Sequence, residues 1–254
     1  MPRNVRIKSS TGIHHIVLRG INKQTIFKDD EDNRCFLSRL EKYQQISQYE
    51  IYAYCLMNNH IHLLMKEGNE RIGDSFRRIG ASFVYWYNWK YNRVGHLFQD
   101  RYLSEAVEKD NYFLTVLRYI HHNPLKAGLI KDLKDYPWSS YREYLTKPLL
   151  CNTSYVLKFF SENKFKAQEL LIQFHSGETD DQCLDYDSNI RLNDLEAAEL
   201  IRQLADLGMA DLKTISTFSK QNRNALIKEF KEKGLSIRQI ERLTGVSFSV
   251  IRSI

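Results

Sequence analysis

The most constraining feature of this 254-residue sequence is a pair of extended, apolar runs separated by two asparagines. Residues 49–57 (YEIYAYCLM) and 60–66 (HIHLLMK) are rich in apolar and aromatic side chains, as strands are. Asn58 and Asn59 lie between them, and asparagine tolerates the positive φ of a tight turn. The pattern predicts an antiparallel β-hairpin, around which the neighbouring segments must fold.

Strand-like and helix-like segments precede and follow this hairpin. Residues 13–20 (IHHIVLRG) predict a strand that ends at a glycine. An acidic cluster at residues 29–32 suits a helix start, and apolar residues at helical spacing then predict a helix over residues 30–47. The three- and four-residue periodicity of residues 70–92 predicts a long amphipathic helix.

Two more elements complete the predicted first domain. Residues 101–108 alternate as a strand would, and Asp110 should cap a helix that ends near Asn123, because Pro124 disfavours helical geometry just before it. The order is then βαββαβα. With an antiparallel hairpin and helices on one face of the sheet, this order predicts an α+β, ferredoxin-like βαββαβ domain.

The charge changes sign twice along the chain. Residues 1–150 hold 23 Lys+Arg and 16 Asp+Glu (net +7), residues 151–212 hold 5 and 12 (net −7), and residues 213–254 hold 9 and 3 (net +6). Two basic regions around an acidic, solvated segment suggest two modules that bind a polyanion. We therefore expect a catalytic domain over residues 1–150, an acidic connector over 151–193 and a helical DNA-binding module over 194–254.

The last module shows the spacing of a helix-turn-helix. Its final residues predict a helix to Lys233, a stop at Gly234, a helix capped by Ser236, a turn at Gly245 and a last helix capped by Ser247. We expect this helical extension to bind duplex DNA, although three short helices also serve as dimerisation elements. Three arginines are its candidate phosphate contacts: Arg238, Arg242 and Arg252.

Several classes of protein are disfavoured. No apolar run approaches the roughly 18 residues that cross a bilayer, and the first residues lack the apolar stretch of a signal peptide, so we expect a cytoplasmic protein without a membrane partner. The four cysteines are scattered and form no CxxC pair, which argues against a disulfide framework and against a cysteine-based zinc site.

Two sets of residues could carry chemistry. His60 and His62 are two apart on a predicted strand, so their imidazoles project from the same face and could bind one metal ion. Tyr119 and Asn123 are four apart on a predicted helix and share a face, so a metal held by the Asn123 amide could lie near the phenol. Each pattern alone is weak: a strand edge and a buried tyrosine are the ordinary structural explanations.

Four segments in order give these residues a common context. They are RGINKQTIF after the first predicted strand, HIH within MNNHIHLLM, FQDRY before the fourth strand, and RYIHHNPLKAGLI at the end of the last helix of the first domain. Together, over residues 13–130, they resemble the single-tyrosine HUH transposases of the IS200-like family, and especially the REP-associated tyrosine transposases. The resemblance also implies the ferredoxin-like fold.

The resemblance implies a role for each matching position. Tyr119 corresponds to the nucleophile, His60 and His62 to the metal-binding HUH pair, and Asn123 to the third ligand of a Mg²⁺ or Mn²⁺ ion. Some related enzymes have glutamine where this chain has the shorter Asn123, so His122 remains an alternative ligand.

The implied activity is cleavage and rejoining of single-stranded DNA through a 5′-phosphotyrosine intermediate. The implied partner is a single strand with a REP-like hairpin, bound by a monomer or a homodimer. The candidate DNA contacts in the first domain are Arg19, Arg77, Arg78, Gln99, Arg101, Arg118 and Lys126. One competing hypothesis is a helix-turn-helix regulator with an inactive nuclease domain, and another is a metal hydrolase that uses the histidines alone.

Overall fold

The computed structural model describes residues 9–99, 101–177, 181–185, 194–208 and 210–254. The chain forms two compact units, Met1–Asp185 and Tyr186–Ile254.

The predicted hairpin forms the centre of the first unit. Strand β2 (Glu50–Met57) pairs antiparallel with β3 (His60–Lys66) across the Asn58-Asn59 turn. In this register Met57 lies opposite His60, and Cys55 lies opposite His62. The hairpin prediction is therefore confirmed, with one register shift between Ile51 and Ala53.

Two further strands complete an antiparallel sheet. Strand β1 (Ile13–Arg19) pairs with β3 on one side and with β4 (Leu103–Ala106) on the other, which gives the strand order β2-β3-β1-β4. Strand β4 is shorter than the predicted strand over residues 101–108. The first strand, β1, is therefore an inner strand with a hydrogen-bonded neighbour on each side.

Two helices cover one face of this sheet. Helix α1 (Asp30–Ser47) begins at a capping box, in which the side chain of Asp29 accepts hydrogen bonds from the backbone and that of Asp32 bonds back to the capping residue. Helix α2 (Ile72–Lys90) packs beside α1. Their apolar side chains, such as Phe36 and Phe83, meet Ile16, Leu18, Ile61 and Leu63 of the strands.

The second face of the sheet is covered as well, so the prediction of helices on one face only is wrong. Helix α3 (Asp110–Lys126) packs against β2 and β3 and buries Val116, Leu117 and Ile120 against Cys55 and Leu64. The physical reason lies in β1, β2 and β3, whose residues are buried on both faces almost throughout.

Helix α3 also continues past Pro124, where the sequence predicted its end. Proline lacks the N–H that would bond to the carbonyl four residues earlier, so the helix loses one hydrogen bond. The next N–H groups still find acceptors, because Ala127 donates to the Asn123 carbonyl and Leu129 donates to the Pro124 carbonyl. The helix can therefore finish its last turn beyond the proline.

The first unit extends beyond residue 150, where the sequence placed a domain boundary. Three helices follow α3, namely α4 (Tyr141–Leu145), α5 (Thr153–Leu157) and α6 (Lys164–Ser176). They bury Tyr144, Val156 and Leu171 in the same core as α3. Residues 151–176 therefore belong to the first unit because its second sheet face needs their apolar side chains.

The second unit has its own apolar core. Its helices are α7 (Asp194–Leu204), α8 (Lys220–Glu232), α9 (Ile237–Thr244) and α10 (Phe248–Ser253), with a 3₁₀ helix over Leu212–Thr217. As predicted, Gly234 and Gly245 adopt positive φ, and the Ser236 side chain caps α9 by accepting from the Gln239 N–H. Ser247 precedes α10, but its side chain makes no capping hydrogen bond, so this part of the prediction is wrong. Of the helices that the structure describes, none is both long and apolar enough to cross a membrane.

Two buried histidines, one on α3 and one on α6, lie next to each other in the first unit. His121 and His175 share a hydrogen bond of 2.9 Å between Nδ1 and Nε2, and burial lowers the pKa of His175 to about 3 and that of His121 well below its usual value. Both rings are therefore neutral in the folded protein. In the unfolded chain, histidine takes up a proton below a pH of about 6.5.

We predict that the free energy of unfolding falls as the pH is lowered from 7 to 5. The unfolded state binds the extra protons in this window, so each of the two histidines should cost roughly 2 kcal/mol at pH 5. Urea unfolding midpoints measured across this range test the prediction. A flat profile in the wild type would contradict the account.

Candidate active site

The register of the sheet gathers three histidines on the face that α3 covers. Val17 lies opposite His62 and Arg19 lies opposite His60, so alternate residues of β1 share that face, His15 among them. The His60 and His62 rings have centroids 5.0 Å apart, and those of His15 and His62 are 5.4 Å apart and stacked. His15 and His62 are buried, whereas His60 is half-buried.

The His62 ring is oriented by its neighbour on β1. Its Nδ1 lies 3.2 Å from Nε2 of His15, within hydrogen-bond distance. Its Nε2 is buried and has no hydrogen-bond partner within the described residues. Burial, and secondarily the nearby imidazoles of His60 and His15, lower the pKa of His62 well below its usual value. The ring is therefore neutral at physiological pH, which is the form that binds a metal ion.

Tyr119 approaches these histidines from α3. Its ring centroid lies 5.6 Å from that of His62 and 6.0 Å from that of His15. The residue is only 8% exposed. The convergence predicted from the sequence is therefore present in the structure: a phenol from a helix meets the histidines of the hairpin.

The Tyr119 hydroxyl donates a hydrogen bond of 2.8 Å to the Asp185 carboxylate. The same carboxylate oxygen lies 4.0 Å from Nε2 of His62. Asp185 falls in the acidic stretch that the sequence predicted to be a solvated linker, and for residues 181–185 that prediction is wrong. Nothing in the local sequence distinguishes this aspartate from a solvated one, because its partner lies 66 residues earlier.

A second aspartate of this segment holds two basic residues of α3. Arg118 donates to both carboxylate oxygens of Asp181, at 2.7 and 3.0 Å, and Lys126 Nζ donates to the Asp181 carbonyl at 3.1 Å. Lys126 Nζ also lies 5.0 Å from the centre of the Tyr119 ring. Both basic residues predicted to contact DNA therefore flank the tyrosine, but in the structure they bind residues 181–185.

The two candidate third ligands differ in their surroundings. Asn123 is 9% exposed, and its amide nitrogen donates to the Tyr119 carbonyl at 2.9 Å, so its side chain lies along its own helix next to the tyrosine. His122 points elsewhere, because its Nε2 lies 2.9 Å from the carbonyl oxygen of His175 on α6 and its ring packs against the His175 ring.

The other predicted DNA contacts of the first unit divide between the two sheet faces. Arg19 lies opposite His60 and is 8% exposed, and the exposed Gln99 donates its backbone N–H to the Arg19 carbonyl. Arg101 is exposed just before β4. The structure does not bring Arg77 and Arg78 to the tyrosine, because α2 packs on the opposite face of the sheet.

In the second unit, Arg238 and Arg252 are exposed. Arg242 is also exposed but is paired with Asp194, to which its Nε donates at 2.9 Å. Of the three arginines predicted to contact duplex DNA, Arg238 and Arg252 therefore form no ion pair with the described residues of this unit.

His15, like Asp185, lies near the tyrosine but was not singled out from the sequence. The sequence places His14 and His15 on opposite faces of a strand, but the choice between the faces depends on how β1 pairs with β3. The pairing settles this choice: His15 lies beside His62 and Tyr119, and His14 lies 3.9 Å from Glu67.

The imidazoles of His60 and His62 are a donor pair that suits one divalent ion. Among the described residues, no group of three or more His, Cys, Asp or Glu side chains is arranged to hold a metal ion. The His60 and His62 rings are nevertheless spaced as two imidazoles on one ion would be, with metal–nitrogen distances of about 2.1 Å. The buried, unpartnered Nε2 of His62 is the atom that such an ion would satisfy.

Comparisons with known proteins agree on one family. The family described as "Transposase IS200 like" matches residues 8–123. A Haemophilus influenzae protein, provisionally named a REP-associated tyrosine transposase, is 27% identical over 104 residues, which cover 37% of this chain and 59% of that protein. The Escherichia coli K12 REP-associated tyrosine transposase is 22% identical over 149 residues, or 58% of this chain and 86% of that protein.

A solved structure shows the same fold. A REP-associated tyrosine transposase bound to a REP hairpin superposes with a TM-score of 0.51 at 19% identity, over 59% of this chain and 88% of that chain. The sequence match begins before β1 and ends within α3, so it contains the histidine pair and the tyrosine. Residues 8–123 of the chain therefore match the IS200-like transposase family, and the chain is similar to REP-associated tyrosine transposases.

Proposed function

We propose that this protein is a metal-dependent endonuclease and strand transferase acting on single-stranded DNA, with Tyr119 as its nucleophile. One observation carries the proposal: the Tyr119 ring lies 5.6 Å from the ring of His62, whose Nε2 is buried and unpartnered among the described residues. The second support is the family match, which contains both residues. A phenol alone would be a poor nucleophile at neutral pH, since its ordinary pKa is about 10.

In this proposal the side chains around Tyr119 have separate roles. His60 and His62 hold a Mg²⁺ or Mn²⁺ ion, and an oxygen donor comes from Asn123 or from Asp185, whose carboxylate is 4.0 Å from His62 Nε2. When bound, such an ion polarises the scissile phosphate and offsets the negative charge that develops there. His15 fixes the His62 ring through Nδ1, as outer partners of metal-binding histidines commonly do.

The chemical step forms a bond between the Tyr119 oxygen and phosphorus and breaks the bond from phosphorus to the 3′ oxygen. The phenolic proton passes to Asp185, which already accepts the hydroxyl hydrogen bond, and the departing 3′ oxygen takes up a proton to become a 3′-OH. The 5′-phosphotyrosine conserves the energy of the broken phosphodiester, so another 3′-OH can attack it and rejoin a strand without ATP.

The proposed substrate is a single strand that carries a hairpin, as in the related protein solved with a REP hairpin. Arg19 lies opposite His60 and its carbonyl accepts the backbone N–H of Gln99, and we propose that these two residues and the exposed Arg101 contact phosphates. For a phosphate to reach Arg118, Asp181 must give up its ion pair with that arginine.

We further propose that α9, the Gly245 turn and α10 form a helix-turn-helix that binds duplex DNA, within a module that begins near residue 194. The support is the basic charge of residues 213–254 and the exposure of Arg238 and Arg252. A monomer or a homodimer would serve equally well, and the cytoplasm is the compartment where such a substrate is met.

The covalent step predicts a protein–DNA adduct. A 5′-labelled hairpin oligonucleotide with a single-stranded flank should give a released fragment, and the same oligonucleotide labelled at its 3′ end should give a slowly migrating band on a denaturing gel with Mn²⁺. Tyr119→Phe should abolish this band, because the attacking oxygen is absent. Tyr112→Phe is the matched control, since Tyr112 lies on the same helix and also donates to a carboxylate, Glu105, at 2.6 Å.

The outcome separates the competing functions. A regulator with an inactive nuclease domain gives no adduct with any oligonucleotide or metal, and this result would sink the proposal. A hydrolase that uses the histidines alone would still cut DNA after Tyr119→Phe. The proposal requires that cleavage and the adduct disappear together.

Metal binding provides a test that does not depend on turnover. His62→Ala should weaken Mn²⁺ binding, measured by titration calorimetry, by more than the roughly 10- to 100-fold typical of outer partners, and His15→Phe should fall within that range. Of Asn123→Ala and Asp185→Ala, the variant that weakens Mn²⁺ binding more identifies the oxygen donor. His14 lies on the same strand as His15 but beside Glu67, so His14→Gln should not change the Mn²⁺ affinity. Equal Mn²⁺ affinities of the wild type and His62→Ala would rule out this site.

The second unit predicts a change in salt dependence. If Arg238 and Arg252 contact phosphates, replacing both with Gln should reduce the slope of log affinity against log salt by about 2 for duplex DNA. Lys220→Gln is the control, because Lys220 is exposed at the first residue of α8. An unchanged slope in the double variant would assign the module to another role, such as dimerisation.

A further inference from the structure

Helix α2 carries a second row of aromatic residues that the core does not use. Its inner face packs Ile79 and Phe83 against the sheet. Tyr85 and Trp89, four residues apart, project outward and are 80% and 75% exposed. Large aromatic side chains so exposed contribute little to folding, because most of their apolar surface remains in water. Their presence on one helix face therefore points to a ligand.

These rings border a groove between α1 and α2. A cavity of about 430 Å³ lies there, lined mainly by Arg39 and Tyr43 of α1 and by Arg78, Tyr85, Trp86 and Trp89 of α2. This volume is within the usual range of ligand-binding clefts. The groove is on the face of the sheet that α1 and α2 cover, whereas Tyr119 lies on the face that α3 covers. It is therefore separate from the candidate active site.

The charge of the groove selects the kind of ligand. Two guanidinium groups line the cavity and no carboxylate does. The Nε atoms of Arg39 and Arg78 are buried and find no hydrogen-bond acceptor in the described part of the chain. Arg78 is partly neutralised, because it pairs with Glu70 and donates to Ser47 at 2.9 Å, but Arg39 has no ion pair with a described residue. An anionic ligand would supply the hydrogen-bond acceptors that both guanidinium groups lack.

We propose that this groove, formed by α1 and α2, is a second DNA site that holds unpaired nucleotides of the strand flanking the hairpin. Tyr85 and Trp89 stack on bases, and Arg39 and Arg78 contact the phosphates between them. Exposed rings interleaved with arginines are the usual means of binding single strands without sequence preference. An acidic protein would satisfy the arginines but would leave the exposed rings of Tyr85 and Trp89 without flat partners, so the observations favour nucleic acid.

This inference rests on the proposed function for its ligand, single-stranded DNA, but not on the chemistry at Tyr119. It implies that one strand contacts both faces of the first unit, with the scissile phosphate at α3 and the flank held across the sheet. Binding energy at the groove would then favour hairpins that carry a single-stranded tail over blunt hairpins. This preference is directly measurable.

The test compares the affinity of the full-length protein for a tailed and a blunt fluorescent hairpin by anisotropy, without a divalent metal so that no cleavage occurs. The double change Tyr85→Ala, Trp89→Ala removes two stacking platforms and should weaken binding of the tailed hairpin by roughly thirtyfold or more. Binding of the blunt hairpin should not change. Arg39→Gln should reduce the salt slope for the tailed hairpin by about 1.

Matched controls come from exposed residues outside the groove. Phe165→Ala removes a ring on α6 that is 77% exposed, and Arg34→Gln removes an exposed guanidinium on α1. Neither should alter the affinity for either hairpin. Circular dichroism of every variant confirms that it is folded, which is expected because all the replaced side chains except Arg39 are largely in solvent.

Three outcomes would overturn the inference. Affinities that are unchanged in the double variant, or that fall equally for tailed and blunt hairpins, exclude a single-strand site in the groove. A shift in sedimentation coefficient with unchanged DNA affinity would make the aromatic face a protein interface instead. By contrast, a wild type that prefers the tailed hairpin through the groove but never forms an adduct would sink the proposed function and leave the inference standing.

Discussion

The antiparallel pairing of β1 with β3 is the constraint on which the candidate site depends. It places Val17 opposite His62 and Arg19 opposite His60, so that His15, His60 and His62 project from one face. A slip of one residue would turn every side chain of β1 to the other face and separate His15 from His62. The tight turn at Asn58-Asn59 fixes the partner hairpin, and the partners of β1 on both edges hold it in this register.

The packing of α3 on that face determines how the histidines are buried and protonated. The helix buries His62 completely, which keeps its imidazole neutral and leaves Nε2 without a hydrogen-bond partner in the described structure. The same helix delivers Tyr119, and the segment over residues 181–185 closes the site from outside through Asp185. By comparison, α1 and α2 on the other face leave Tyr85 and Trp89 in solvent, so the two faces of one sheet differ in chemical character.

The sequence patterns predicted those features of the site that depend only on residues close together in the chain. The two-residue period gave the common face of His60 and His62, and the helical period gave that of Tyr119 and Asn123, while the family resemblance supplied their roles. His15 could not be predicted because its face depends on the β1–β3 register, and Asp185 could not because its contact with α3 spans 66 residues. The placement of helices on both sheet faces escaped prediction for the same reason, since strand burial is a tertiary property.

The central claim is that the hydroxyl oxygen of Tyr119, which lies beside the histidine pair, forms the covalent bond to DNA. The most direct measurement is tandem mass spectrometry of the protein after reaction with a hairpin oligonucleotide and nuclease digestion, with the position of the attached nucleotide read from peptide fragments. The account predicts a nucleotide 5′-phosphate on Tyr119 and on none of the other 14 tyrosines among the chain's 15. A nucleotide found on Tyr112 or another residue, or none at all after cleavage, would contradict it.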